Sequence, residues 1–381
     1  MLLRWSNVGS QRYLRRMSMS MTKAQTTTSS ATMMGDDEHV EGIFNYWAKP
    51  CPPEMKEVYT VFTGTSPSQK PVHCNVSDIR KHGLSSFSLA RHGFQILQHS
   101  SCLLPPQTSH VPDFHDEETI KSIYWPEVTS LIQSTLKARS AIAITTTVRD
   151  VSVFHERNQN HGNPRASKDQ RFQPFTVVHG DYTAPGARGH MRAMLPTFFE
   201  DNGMMSSNTA VEREKFFGLR DEIIAAEDEA MAQEGVADQW SWSGKNYAGP
   251  RWMMLSVWRP LETVHRDPLA VMDPESLLKP CQKKPPYALF TRMYRDRPGF
   301  EKEYQSENLL PLAPESGGDH KWYYLSEQKP DEVYALKLFD SEAQKQGSDV
   351  VPWVAHSAFP LPSQEGRDAR KSVEIRVMII F

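Results

Sequence analysis

The chain has 381 residues, a net charge of −3 and a charged fraction of 23%, so it carries no electrostatic footprint for nucleic acid or an acidic membrane surface. Its 4 cysteines lack paired spacing, which speaks against a zinc ribbon or a disulfide framework and for a reducing compartment. No apolar run approaches the roughly 18–20 residues of a membrane-spanning helix, while 9 Trp, 12 Tyr and 17 Phe suffice for a large core and 27 prolines suit many strand-to-loop transitions.

Residues 1–40 read as a disordered leader. No acid precedes Asp36, whereas Arg4, Arg12, Arg15, Arg16 and Lys23 are basic, so a mitochondrial presequence competes with a cytoplasmic chain starting at Met17, Met19 or Met21. Residues 41–381 are expected to form a single catalytic domain, its N-terminal strands and helix packed on a core of about 170–381. Val58–Phe62, Phe87–Leu89 and Phe94–Leu97 read as short strands, the latter two joined by a turn at His92-Gly93. A helix is expected from Asp116 to about Lys137, its acids at the start where the dipole favours them, and then a buried strand over Ala141–Val148.

His155–Gln173 is polar and reads as a loop or lid, followed by a strand from Pro174 to Val178. Val211–Met231 shows Phe216, Leu219, Ile223 and Ala226 at helical spacing. Trp252–Trp258 is apolar on both faces and therefore a central strand, ended by Arg259-Pro260-Leu261. A loop through Asp267–Ala270 and an unpatterned stretch from Pro280 to Pro286 follow. Strands are then expected at Trp322–Leu325, Glu332–Phe339, Val354–Phe359 and Ser372–Phe381. The fold class is mainly β with flanking helices (α+β), built on a double-stranded β-helix, or jelly-roll, core.

His179-Gly180-Asp181 places an imidazole and a carboxylate on one face of an extended strand. With the distant His356 they can occupy one triangular face of an octahedral metal, the arrangement of non-haem Fe(II) oxygenases that leaves positions for a co-substrate and O2. Arg370 and Ser372 again share a strand face, and a guanidinium with a hydroxyl suits the distal carboxylate of 2-oxoglutarate. Arg259 could hold a carboxylate of the substrate or of 2-oxoglutarate, or form a structural ion pair at a strand end. Two readings compete with the oxygenase. One is a zinc-type hydrolase using the same three ligands, which has no use for Arg370 and Ser372; the other is a non-catalytic jelly-roll partner protein.

Ser85-Ser-Phe-Ser, Gly93-Phe-Gln, Lys245-Asn-Tyr, Arg251-Trp252, Trp258-Arg-Pro-Leu261, Arg266-Asp-Pro-Leu-Ala270, His320-Lys-Trp-Tyr323, Pro330-Asp-Glu-Val333, Lys337, Asp340, His356, Phe359 and Arg370 to Glu374 carry a resemblance over roughly four-fifths of the chain. In these residues the chain resembles the fungal gibberellin desaturase and aspergillic-acid-type (asaB-type) hydroxylase/desaturase family, related to the bacterial cephem methoxylase subunit. The resemblance implies a jelly roll and Fe(II)/2-oxoglutarate-dependent hydroxylation or desaturation of a small secondary metabolite such as a terpenoid, with ascorbate as reductant. It also places the metal ligands on His179, Asp181 and His356 and the co-substrate anchor on Arg370 to Ser372. Because the bacterial relative works with another protein, a pathway partner or a homo-oligomer is expected as well.

Lys371 stands where the family has glutamate, and strand alternation turns it away from the site. The loop Tyr182–Arg192 differs from that of the gibberellin desaturase, which argues against gibberellin as the substrate. Among other tempting residues, Asp267 and Asp273 precede prolines and mark turns, and His320 is expected to bond locally. His190 and His265 lie in loop-like contexts, Lys337 needs Asp340 or Glu374 as partner, and Trp322-Tyr323-Tyr324 reads as core.

Overall fold

A computed structural model describes residues 39–49, 52, 66–104, 114–150, 173–194, 210–278, 285–294, 304–362 and 364–381. Its strands are β1 (Val40–Trp47), β2 (Gln69–Asp78), β3 (Phe94–Gln98), β4 (Ser140–Arg149), β5 (Trp252–Pro260) and β6 (Leu269–Met272) in the first two-thirds of the chain. They continue with β7 (Tyr287–Tyr294), β8 (Tyr304–Pro311), β9 (Trp322–Tyr324), β10 (Glu332–Asp340), β11 (His356–Ala358) and β12 (Ser372–Ile380). One sheet runs β1-β2-β9-β6-β11, the second β3-β10-β5-β12-β4, and β7-β8 form a hairpin. This is the expected double-stranded β-helix, and its sheets draw on strands well before residue 170, since β1 to β4 all pair into them.

β5 lies between β10 and β12, so every residue of it is buried, as its unbroken apolar run predicts. Period-2 alternation gives the second sheet two different faces. Val257, Val373 and Ile375 join the core beneath α2 (Trp125–Leu136), whose Trp125 donates its indole N–H to Thr146 of β4. Ser256, Glu374 and Arg376 sit in register on the opposite face, which carries the polar groups. The expected helix after Asp116 is present, with the Asp116 carboxylate accepting from the Thr119 N–H and a π turn at Ile120–Tyr124 ahead of α2. The expected amphipathic helix is present too, as α4 (Ala210–Glu234), with Phe216, Leu219 and Ile223 buried.

Several local expectations are corrected. Phe87–Leu89 is not a strand: the Ser88 hydroxyl accepts from the Arg91 N–H and starts the one-turn helix α1 (Leu89–His92). Gly93 then ends it at φ 73, where a Cβ would also lie 2.9 Å from Val354, so β3 alone follows. Leu269-Ala270 is strand rather than loop, because the turn is completed at Asp267 (φ 48) and Leu269–Met272 is a fully buried apolar run. Tyr182–Arg192 is not a loop either. Thr183 caps α3 (Ala184–Gly189) through the Gly186 N–H, with proline in the first turn, and a π turn continues it to Met194.

Pro174–Val178 forms no regular strand, and the segment is held instead by single bridges from Val177 to Asn45, His179 to His356 and Gly180 to Leu309. Val58–Phe62 lies outside the described residues, as do residues 1–38 of the expected leader, residues 155–172 of the expected loop or lid and residues 280–284 of the unpatterned stretch. No helix among the described residues is long and apolar enough to cross a membrane.

Candidate metal centre

The segment after Val177 is held by its backbone between β11 of the first sheet and β8 of the hairpin. The His179 N–H donates to the His356 carbonyl at 3.2 Å, the His356 N–H returns the bond at 3.0 Å, and the Gly180 N–H donates to the Leu309 carbonyl at 2.9 Å. His179 and His356 are thus directly opposed residues, and their rings lie 4.3 Å apart. Gly180 faces the other way, where a Cβ would come within 2.7 Å of the Trp353 ring, so only glycine lets the backbone approach this closely.

His179, Asp181 and His356 each present one ligand atom, all within 4.8 Å of one another. The Nδ1–H of His179 donates to the Val177 carbonyl at 2.8 Å and that of His356 to the Val354 carbonyl at 3.2 Å, which leaves both Nε2 atoms as acceptors. His179 Nε2 stands 3.5 Å from Asp181 Oδ1. Burial, and then the neighbouring His356, push the His179 pKa down to about 3, so the ring is a neutral donor at physiological pH. Burial opposes the charge on Asp181, but Arg376 and then the two imidazoles hold its pKa below the usual carboxylate range. Two imidazoles and one carboxylate, each oriented by a second bond, form a donor set suited to a divalent first-row metal.

Arg370 lies just before β12, and Ser372 is its first residue. Arg370 is buried, stacks its guanidinium 4.9 Å above the Trp258 ring and donates Nη1 to the Asp267 carbonyl. Its Nε and the hydroxyl of Ser372 are both buried without a hydrogen-bond partner. Burial, with Arg149 beside it, pulls the Arg370 pKa down to about 9, which leaves it cationic at neutral pH in a place that disfavours cations. An incoming carboxylate would satisfy both orphaned donors and relieve that charge, so the residues present fit the distal end of 2-oxoglutarate.

Arg259 is placed elsewhere. It pairs with Val373 and points to the outer face, where it donates to the Tyr124 hydroxyl at 2.8 Å, to the His99 and Pro330 carbonyls and to His99 Nδ1. The strand period turns it away from His179, Asp181 and His356, and protein acceptors occupy its donors. Lys371 also faces away, as expected, and pairs with Glu262 at 2.8 Å. Lys337 finds the expected partner in Asp340 at 2.8 Å, and Asp273 caps a short helix by accepting from the Glu275 N–H. Trp322 is core, stacked 4.0 Å from Phe44. His320 also bonds at long range, its Nδ1 meeting the hydroxyl of Tyr46, far away in sequence.

Three residues of the site escaped the sequence reading. Arg376 grips Asp181, Tyr182 bonds Arg376, and Arg149 stands opposite Ser372 on β4, donating to the Gln173 carbonyl. Alternation along Arg370, Ser372, Glu374 and Arg376 was a signal for the first, but nothing in the sequence announced the strand pairing that brings Arg149 alongside.

Known proteins with the same features can now be set beside this geometry. Residues 36–210 and 227–380 match the family model described as an oxidoreductase/YMDC permease-like domain. A gibberellin cluster GA4 desaturase of Gibberella fujikuroi is 29% identical over 80% of this chain and 86% of its own length. An alpha-ketoglutarate-dependent dioxygenase, phiK, of a fungal species is 25% identical over 80% of this chain and 83% of its own. Among solved structures, the iron and alpha-ketoglutarate-dependent endoperoxidase NvfI superposes with a TM-score of 0.52 at 21% identity, over 90% of this chain and 97% of its own, which supports the jelly roll. The resemblance to gibberellin desaturases and hydroxylase/desaturases is thereby borne out, and the chain belongs to the oxidoreductase/YMDC permease-like family.

Proposed function

We propose that His179, Asp181 and His356 hold Fe(II), that Arg370 with Ser372 holds the distal carboxylate of 2-oxoglutarate, and that the enzyme oxidises a C–H bond of a small secondary metabolite such as a terpenoid. The observation that carries this reading is the pair of buried, partnerless donors on Arg370 and Ser372, at the start of the strand whose Arg376 grips Asp181. A zinc-type hydrolase would have no role for that pair. Relatives named as a desaturase and an alpha-ketoglutarate-dependent dioxygenase support the same chemistry.

The metal, when bound, supplies O2 activation coupled to oxidative decarboxylation of 2-oxoglutarate to succinate and CO2. Hydroxylation places one oxygen of O2 in the product and the other in succinate; desaturation instead removes two hydrogens and forms water. The protein's part is positional. Arg370 and Ser372 fix one end of the co-substrate, the backbone carbonyls of Val177 and Val354 fix the two imidazoles, and the buried surroundings limit access of water.

The test is succinate formation by protein loaded anaerobically with Fe(II), then given ascorbate, 2-oxoglutarate and O2. Slow turnover without substrate, lost in His179→Ala and Arg370→Ala, is the expected result. A charge-transfer absorption should also appear when 2-oxoglutarate meets the Fe(II) protein. No such band, together with zinc in the purified protein, would overturn the reading in favour of the hydrolase.

A further inference from the structure

The two oxygens of Asp181 have different surroundings. Oδ1 faces the imidazoles, 3.5 Å from His179 Nε2, whereas Oδ2 accepts from Arg376 Nη2 at 3.0 Å. Arg376 is itself held at several points. Its Nη1 donates to the Tyr182 hydroxyl at 3.0 Å, its guanidinium stands 5.5 Å from the Tyr182 ring, and its Nε lies 3.6 Å from Glu374 Oε1. Tyr182 directly follows Asp181, so the guanidinium is fastened to the residue next to the ligand as well as to the ligand. The sheet is also irregular here: between Arg376 and Val377 the register with β4 shifts, leaving Ile144 as an extra residue. Bulges re-aim the side chains beside them.

The coordination arithmetic gives this arrangement a consequence. Three protein ligands and a chelating 2-oxoglutarate would fill five of six octahedral positions of a bound metal, which would leave one for dioxygen. A carboxylate can bind through one oxygen or two. Were Asp181 to use both, the metal would be full. We infer that Arg376 is a positioning residue that reserves Oδ2, keeps Asp181 a one-oxygen ligand and so preserves the open position. This rests on the Fe(II)/2-oxoglutarate reading above and adds a residue to which that reading gives no role.

Nitric oxide is the probe, since it binds Fe(II) where dioxygen would and gives a spin-3/2 signal. The full chain is loaded anaerobically with Fe(II) and 2-oxoglutarate, the charge-transfer band is recorded, and nitric oxide is titrated in wild type, Arg376→Leu and Arg376→Lys. In Arg376→Leu the band should persist while nitric oxide affinity falls about tenfold or more, the usual scale for an outer-shell partner. Arg376→Lys, which can still donate to Oδ2, should recover to within about threefold of wild type. Unchanged nitric oxide binding in Arg376→Leu overturns the inference. So does loss of the charge-transfer band from a leucine variant that melts like wild type, because Arg376 would then serve to hold the ligands at all.

Should the leucine variant not fold, Tyr182→Phe decides. It removes one anchor of Arg376 and should weaken nitric oxide binding about threefold, and no change there overturns the inference. A band missing from wild type would instead sink the parent reading, a failure distinct from that of a variant that behaves as wild type.

Discussion

Trp258 and Arg259 are neighbours on β5 that serve opposite faces of one sheet. The Trp258 ring carries the Arg370 guanidinium at 4.9 Å, while the Arg259 guanidinium is fully buried on the far side against Tyr124 and His99. Arg259→Leu would leave the Tyr124 hydroxyl and the His99 and Pro330 carbonyls without their donor, at a cost of about 3 kcal/mol in stability. Chemical denaturation should register that loss. Titration of 2-oxoglutarate into the Fe(II) form of the folded variant should give an affinity close to wild type, and a large drop would return Arg259 to the site.

Arg370 and Ser372 should divide the affinity for 2-oxoglutarate unequally. A charge-assisted bond to a buried cation outweighs a neutral hydroxyl bond, so Arg370→Ala is expected to weaken binding about a hundredfold and Ser372→Ala about fivefold. Anaerobic titration followed by the charge-transfer band measures both. Equal effects would mean that the serine and the guanidinium share the anchoring, against this expectation.

His190 sets a pH dependence of stability. It is buried with its Nε2 3.5 Å from the Tyr182 hydroxyl, and burial, followed by Arg376, pushes its pKa from 6.5 down to about 3. Between those values the unfolded chain binds a proton that the folded chain does not. Stability therefore falls as pH falls, by about 1.4 kcal/mol per pH unit for this group. Urea denaturation of the metal-free protein between pH 6 and pH 4 should show a slope smaller by about that amount in His190→Gln. An unchanged slope would show that the imidazole is accessible to protons in the fold.

Gly180 separates the two ligands contributed by one segment. A methyl group there would press on the Trp353 ring at 2.7 Å and 2.9 Å and on Leu309 at 3.2 Å. Gly180→Ala is expected to cost about 2 kcal/mol and to move His179 and Asp181 together. A lower melting temperature accompanied by weaker Co(II) binding, read by calorimetry, is the expected pair. A lower melting temperature with unaltered Co(II) affinity would show that the ring of Trp353 yields instead.

The sequence by itself determined those features that depend on local periodicity and chemical type. The unbroken apolar run of β5 required a strand covered on both sides, and the i, i+2 spacing in His179-Gly180-Asp181 and in Arg370-Lys371-Ser372 put each pair on one face. The spacing also turned Lys371 outward, where it meets Glu262. Sequence patterns failed where a cap overrode apolar alternation, as at Ser88 ahead of α1, and where segments read as loops proved regular, as after Thr183 in α3 and after Asp267 in β6. Only the tertiary structure decided which strands pair, and pairing brings together residues that no local signal connects. It set His356 opposite His179 and Arg149 opposite Ser372, and brought Arg376 to Asp181. Period-2 alternation says that Trp258 and Arg259 part company, but which of them meets the site depends on the side from which the first sheet approaches, a contact between segments far apart in the chain.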